Sequence, residues 1–234
     1  AQEGLEIIER VGALAVSTPV SMKHGMLLVD LGNERGLPKV LEAFQAAERI
    51  GDPLQRAWVR LLLGHCHFAR GELAPAIEYL ESCVHLRRRF HLRADFLSPR
   101  VYPLLARAYI DIARQTADPS ARRRFLRRAK RHAATGLRAM KRRATYRAAA
   151  ILAMAECRWE DGSESEARAL FDQSIAFAEQ QGSRLMLADA HYELGRRLRD
   201  VDGGRRQLQI AVELYDACDA APYAQRARRA LRST

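Results

Sequence analysis

The sequence predicts an all-α fold, a solenoid of stacked antiparallel helix pairs. Three observations predict it. Apolar residues recur at the i, i+3, i+4 spacing of a helix stripe, Gly and Pro punctuate those stripes at short intervals, and no segment alternates with the period of two that marks a half-buried strand. Residues 146–183 show the unit most clearly. Ala148, Ile151, Leu152, Ala155 and Trp159 form one stripe, Gly162 breaks it, and Ala167, Leu170, Phe171, Ser174, Ile175 and Ala178 form the next. Between them, Ser163-Glu164-Ser165-Glu166 has the S-x-x-E form of a capping box, and Gly182-Ser183 closes the second helix. One such pair cannot bury both stripes, so the unit must stack on others.

The remaining elements follow in order. Residues 3–15 carry Leu5, Ile8, Val11, Leu14 and Ala15 at helical spacing, and Ser17-Thr18-Pro19 is expected to end that helix. Residues 20–33 and 38–50 form a first pair across Glu34-Arg35-Gly36. Gly51-Asp52-Pro53 then stops one helix and caps the next. Residues 54–69 and 73–88 make a second pair around Gly71, and Ser98-Pro99 opens a third with residues 100–115. Asp118-Pro119 opens a long helix reaching about Arg142. The pair described above is fourth. Residues 185–199 and 206–218 make the fifth, across a turn at Asp202-Gly203-Gly204, and Pro222 starts a short helix over 223–231. The domain division expected is residues 1–19 as an N-terminal helix that could close a preceding repeat, 20–219 as five helix pairs, and 220–234 as a C-terminal cap.

Aligning the pairs on their turns exposes a register. First helices carry a small residue after an apolar one: Leu31-Gly32, Leu63-Gly64, Met154-Ala155 and Leu194-Gly195. Ala76, Leu80 and Cys83 follow Gly64, while Ala167, Phe171 and Ser174 follow Ala155 at the same spacing. A small residue where two helices cross lets their backbones approach, and a larger one a turn later fills the space beside it. At these residues, over roughly residues 26–218, the chain resembles the tetratricopeptide repeat (TPR). The third pair departs from the period, with Ala106 separated by an insertion from Ala129, Ala133 and Gly136. The resemblance implies a right-handed α-solenoid. Residues 187–231 resemble, more narrowly, the end of the repeat region in large bacterial STAND-type ATPase regulators, the LuxR-type, adenylate-cyclase and Ser/Thr-kinase fusions. That second resemblance implies a sensor or protein-binding arm beside other domains of a parent chain.

Composition is that of a globular protein, with 48% hydrophobic and 29% charged residues. The chain begins at Ala1 without a charged segment and apolar core behind it, so it reads as a fragment or processed product without a secretory signal. Its longest apolar run, residues 148–155, is far too short to span a bilayer. Cys66, Cys83, Cys157 and Cys218 are scattered, as suits core residues in a reducing cytoplasm. The net charge of +11 is uneven: residues 86–147 hold 19 Arg and Lys against three acids, and the rest of the chain is net acidic. Only four of the 39 basic residues are lysines, a bias that GC-rich bacterial coding also produces.

The TPR resemblance places first-helix side chains on an inner face where family ligands lie. Carried over, the register makes Asn33, His65, Phe68, Arg100, Arg107, Glu156, Trp159, Tyr192, Arg196 and Arg199 candidate partner-binding residues. Aromatics beside arginines offer contact area and a planar fork for carboxylates; the plain alternative is that Phe68, Trp159 and Tyr192 pack against the next repeat. Asn33 is the only Asn and has no companion Lys, so the carboxylate clamp of chaperone-binding relatives is not supported. On the long basic helix, Phe125, Ala129, Ala133, Gly136 and Met140 form a buried stripe that leaves Arg123, Arg124, Arg127, Arg128, Arg131, Arg138 and Arg142 exposed. These point to phosphates of a nucleic acid or to an acidic protein surface, the bland alternative being a solvated face. Interleaved aromatics for base stacking are largely missing. His65-Cys66-His67 with Cys83 and His85 could suggest a metal, but residues two apart diverge on a helix, so core packing is expected. No nucleophile elbow and no phosphate-binding loop appears. The expectation is a non-enzymatic, cofactor-free protein- or peptide-binding module, an acidic ligand among those its arginines suit, with nucleic-acid binding by the basic face as the alternative.

Overall fold

The computed structural model describes residues 14–31, 33–92, 97–140, 146–198 and 202–233. The described residues form α-helices alone: α1 (Leu14–Asp30), α2 (Gly36–Ile50), α3 (Pro53–Ala69), α4 (Leu73–Arg89), α5 (Leu97–Gln115), α6 (Pro119–Ala139), α7 (Arg147–Glu160), α8 (Glu164–Gln180), α9 (Arg184–Gly195), α10 (Asp202–Asp216) and α11 (Ala221–Arg232). They pair as α1/α2, α3/α4, α5/α6, α7/α8 and α9/α10, with α11 on α10. The chain divides into two compact units, residues 1–97 and 98–234.

In the first unit, Met22 and Val29 of α1, Val40, Ala43 and Ala47 of α2, and Val59, Leu62, Leu63 and Cys66 of α3 share one core. The crossing of α3 and α4 depends on Gly64, where an added Cβ would sit 2.5 Å from Leu80 Cγ and 3.2 Å from the Ala76 carbonyl oxygen. In the α1/α2 pair the close approach falls at Gly25, against Val40, and at Gly36, against Val29. The expected Leu31-Gly32 step falls at Gly32, which lies outside the described residues.

The second unit repeats the scheme twice. Ala155 of α7 packs with Ala167 and Phe171 of α8. Gly195 of α9 meets Leu208 and the Gly204 carbonyl oxygen of α10, a Cβ there being only 2.8 and 2.9 Å away. In the pair that precedes them, Tyr102 and Tyr109 of α5 stack on His132 of α6, and Gly136 faces Tyr102 and Pro103.

Local signals behave unevenly. Asp52 accepts a hydrogen bond from the Gln55 N–H at 2.7 Å, and Asp118 accepts from Ser120 and Ala121, so both cap-plus-Pro devices operate. The Ser163 capping box does not form, since the Ser163 side chain makes no cap hydrogen bond. Its Glu166 turns instead to Arg158, at 3.3 Å. Pro19 does not end a helix either; α1 runs through it. A proline early in a helix sacrifices one hydrogen bond, and Met22, Gly25 and Val29 downstream bind the same helix to α2. The expected helix over residues 3–15 falls mostly outside the described residues. Gly203 and Gly204 likewise belong to the first turn of α10 rather than to a loop, and the Gly204 carbonyl oxygen lies against Gly195 of α9.

Candidate functional site

Three first helices of the second unit carry charged residues at helical spacing. Arg107, Asp111 and Arg114 recur on α5 at i, i+4, i+7; Glu156 and Glu160 recur on α7 at i, i+4; Asp189 and Glu193 do so on α9, with Arg196 and Arg197 just beyond its end. Each set therefore occupies one face of its helix.

These faces meet. Arg107 Nε lies 2.9 Å from Glu156 Oε1, its Nη1 3.3 Å from Asp189 Oδ2, and its Nη2 3.0 Å from Glu193 Oε1. Arg197 joins the same two glutamates, 3.2 Å from Glu156 and 2.6 Å from Glu193. Arg196 adds contacts to Glu193 at 3.1 Å and Asp111 at 3.7 Å. Arg114 binds Glu160 at 2.6 Å and Asp111 at 3.0 Å. The Tyr215 hydroxyl of α10 donates to Asp189 at 2.5 Å.

Burial decides what this arrangement means. The side chains of Glu156, Glu193 and Arg197 are 1%, 4% and 4% exposed, so none can lose a partner to water. Burial pushes the Glu193 carboxyl up, yet Arg196, Arg197, Arg107 and Arg114 together hold it well below the usual carboxylate range. For Glu156, burial and the neighbouring Glu193 charge win over Arg107 and Arg197, and its carboxyl titrates above the usual range. Burial opposes the charge on Arg107 too, but Glu156, Asp189 and Glu193 raise its pKa well above the ordinary arginine value. Burial and Asp189 likewise push the Tyr215 hydroxyl well above 10.0. The outer members, Asp111, Arg114, Asp189 and Arg196, keep roughly a quarter of their surface in water and form a charged rim above the buried centre.

Of the sequence-predicted partner residues, Arg107, Glu156 and Arg196 enter this network. Tyr192 is buried beside it, with Arg226 4.4 Å and Arg196 5.8 Å from its ring centre. Trp159 is half-buried, edge-on to Phe171 with Arg168 over its ring, and Arg100 lies over Tyr146. In the first unit His65 and Phe68 are half-buried, while Asn33 is exposed and accepts a hydrogen bond from the Arg35 N–H. Arg199 lies outside the described residues. Asp111, Arg114, Glu160, Asp189, Glu193 and Arg197 were not singled out from the sequence. Their signal was available as charges at i, i+4 on faces that the repeat register marks as inward.

The basic face divides as well. Arg123, Arg124, Arg127, Arg128, Arg131 and Arg138 are exposed on α6, and Arg142 lies outside the described residues. Arg128 is occupied, donating to the Tyr109 hydroxyl at 2.9 Å. Among the described residues no group of three or more His, Cys, Asp or Glu side chains is placed to hold a metal. His67 instead binds Glu72 at 2.6 Å and stacks on Tyr79, while burial pushes the Cys83 thiol up to about 12. No helix of the described residues is long and apolar enough to cross a membrane.

Antiparallel helix pairs that cross at small residues, Gly64 in the first unit and Ala155 and Gly195 in the second, are those of an all-α helical repeat. Among solved structures, the chain is similar to the crystal structure of TTC0263, a thermophilic TPR protein in Thermus thermophilus. The two share 22% sequence identity with a TM-score of 0.61, over 92% of this chain and 98% of that one. No protein-family model and no curated protein sequence matches the chain.

Proposed function

We propose that the chain is a non-enzymatic protein- or peptide-binding module, the regulatory arm of a larger bacterial signalling protein. The observation that carries this reading is the charged wall of α5, α7 and α9. Its buried centre fixes Asp111, Arg114, Asp189 and Arg196 at the rim, and prearranged polar groups bind with little ordering cost. The likeness to a TPR structure and the sequence style of residues 187–231 support the regulatory assignment. Screening a displayed peptide library against the chain, followed by calorimetry, tests it: enriched peptides should bind one per chain and weaken at least tenfold with Arg196→Glu. No enrichment over an unrelated helical protein contradicts it.

A second reading, nucleic-acid binding, draws on the exposed arginines of α6. It requires duplex affinity that persists at physiological salt and falls steeply as salt rises.

A further inference from the structure

The neighbours of the α6 arginines tell which of them are spoken for. Towards α7, Arg122 reaches Glu160 at 3.3 Å and Lys130 reaches Asp161 at 2.7 Å. Towards α5, Arg128 is tied to Tyr109. Between these two occupied flanks run Arg123, Arg124, Arg127, Arg131 and Arg138, all exposed and with no ion pair among the described residues, Arg138 donating only to the neighbouring Thr135 hydroxyl at 3.3 Å. At 3.6 residues per turn they share about 100° of arc with half-buried Ala134.

The spacing inside that arc is heptad-like. Arg124, Arg131 and Arg138 are seven apart, and Arg127 and Ala134 fall three after the first two. Positions so spaced form the straight seam that a second helix follows at a shallow crossing angle. The seam runs about 21 Å, at 1.5 Å per residue. We propose that this seam docks one acidic α-helix of a protein partner, whose carboxylates recur at the same spacing and meet the arginines in register.

Charge complementarity names the occupant, and the surroundings select a helix over a nucleic acid. The seam is one helix wide, and on its α7 side Arg122 and Lys130 are already paired with Glu160 and Asp161, so a phosphate chain spreading beyond the seam would meet cations that are occupied. It also lacks an exposed aromatic to stack on a base, because Phe125 lies half-buried against Tyr109. Helix-borne carboxylates already satisfy Arg122 and Arg114 in this unit, so the partner extends chemistry the fold uses internally. This inference rests on the protein-binding reading but concerns α6 rather than the α5/α7/α9 rim, so a selected peptide that binds the rim leaves that reading intact if the seam fails.

The test uses the whole chain and a labelled, end-capped helical peptide of about 21 residues, long enough to cover the seam at 1.5 Å per residue, with Glu at heptad positions a and d. Binding is followed by fluorescence anisotropy at about 0.15 M salt, where exposed charges are screened as they are physiologically. A peptide of identical composition with its Glu residues spread around the helix is the control, beside short DNA and RNA duplexes. The aligned peptide should bind at least tenfold more tightly than the control and than either duplex. Arg127→Glu with Arg131→Glu should abolish binding, and a peptide with Lys at the two facing positions should restore it, which a misfolded variant could not do. Arg205→Glu with Arg206→Glu, on exposed positions of α10, should leave binding unchanged. Equal binding of aligned and control peptides, preference for a duplex, or failure of the Lys peptide to rescue overturns the proposal.

Discussion

Arg107 and Glu193 stand 86 residues apart in the chain, and their side chains meet at 3.0 Å in the interior of the second unit. Glu156 and Arg197 complete a square of alternating charge around them. Such a cluster is weak evidence for net stability, since well-packed apolar groups could replace it. Removing one member is another matter. Arg107→Ala should cost about 3–5 kcal/mol in urea unfolding, because three carboxylates lose their shared partner.

The two glutamates should respond to pH with opposite sign. Glu193 has its folded pKa below the ordinary 4.5, so its contribution is complete above that value and is lost as pH falls through the folded pKa. Glu156 has its folded pKa above 4.5, so its ionisation on raising pH opposes folding. Glu193→Gln should therefore flatten the acid-side loss of stability. Glu156→Gln should remove a decline on the alkaline side of 4.5 and cost less at neutral pH. Denaturant midpoints taken from acid to neutral pH give both slopes; parallel profiles for the two variants contradict the assignment.

Two glycines should fail for different reasons. At Gly64 a Cβ would collide with Leu80, so Gly64→Ala should cost about 1–3 kcal/mol by overpacking. Trimming Leu80 to Ala in that background should cost less than it does alone. At Gly71, φ is +77° and open space surrounds the position, so Gly71→Ala should cost about 1–2 kcal/mol from backbone strain, unaffected by any change at Leu80. Thermal unfolding of these variants separates the mechanisms.

Helix caps offer a paired comparison. Asp118→Ala removes hydrogen bonds to the Ser120 and Ala121 N–H groups and should cost about 0.5–2 kcal/mol. Ser163→Ala removes no cap bond and should stay within about 0.5 kcal/mol of the parent. Amide exchange in the first turns of α6 and α8 should show fraying only in the former.

The contrast between those caps shows how far the sequence could be read. Among the described residues, the pairing of neighbouring helices and the small-residue crossings at Gly64, Ala155 and Gly195 were legible, because each depends on spacing within one or two adjacent helices. Pro19, Gly203 and Gly204 misled, because a breaker's local preference yields when neighbouring helices hold the backbone in place. The charged network was legible only in part: Arg107, Glu156 and Arg196 stood out singly, but their convergence with Asp189, Glu193 and Arg197 depends on how three helices face one another. Nothing within one helix distinguishes an inward Glu193 from an outward one until the register is laid over it. The arginine face was plain as a charge run, whereas its division into occupied flanks and an open seam required Glu160, Asp161 and Tyr109 to be placed.

A double-mutant cycle between Arg107 and Glu193 tests most directly whether buried charge joins the first helices into one wall. Arg107→Met, Glu193→Gln and the double variant, compared by urea unfolding at neutral pH, should give a coupling energy of about 2 kcal/mol or more, within the range for members of one network. Effects that add to within about 0.5 kcal/mol, as independent sites do, would contradict it.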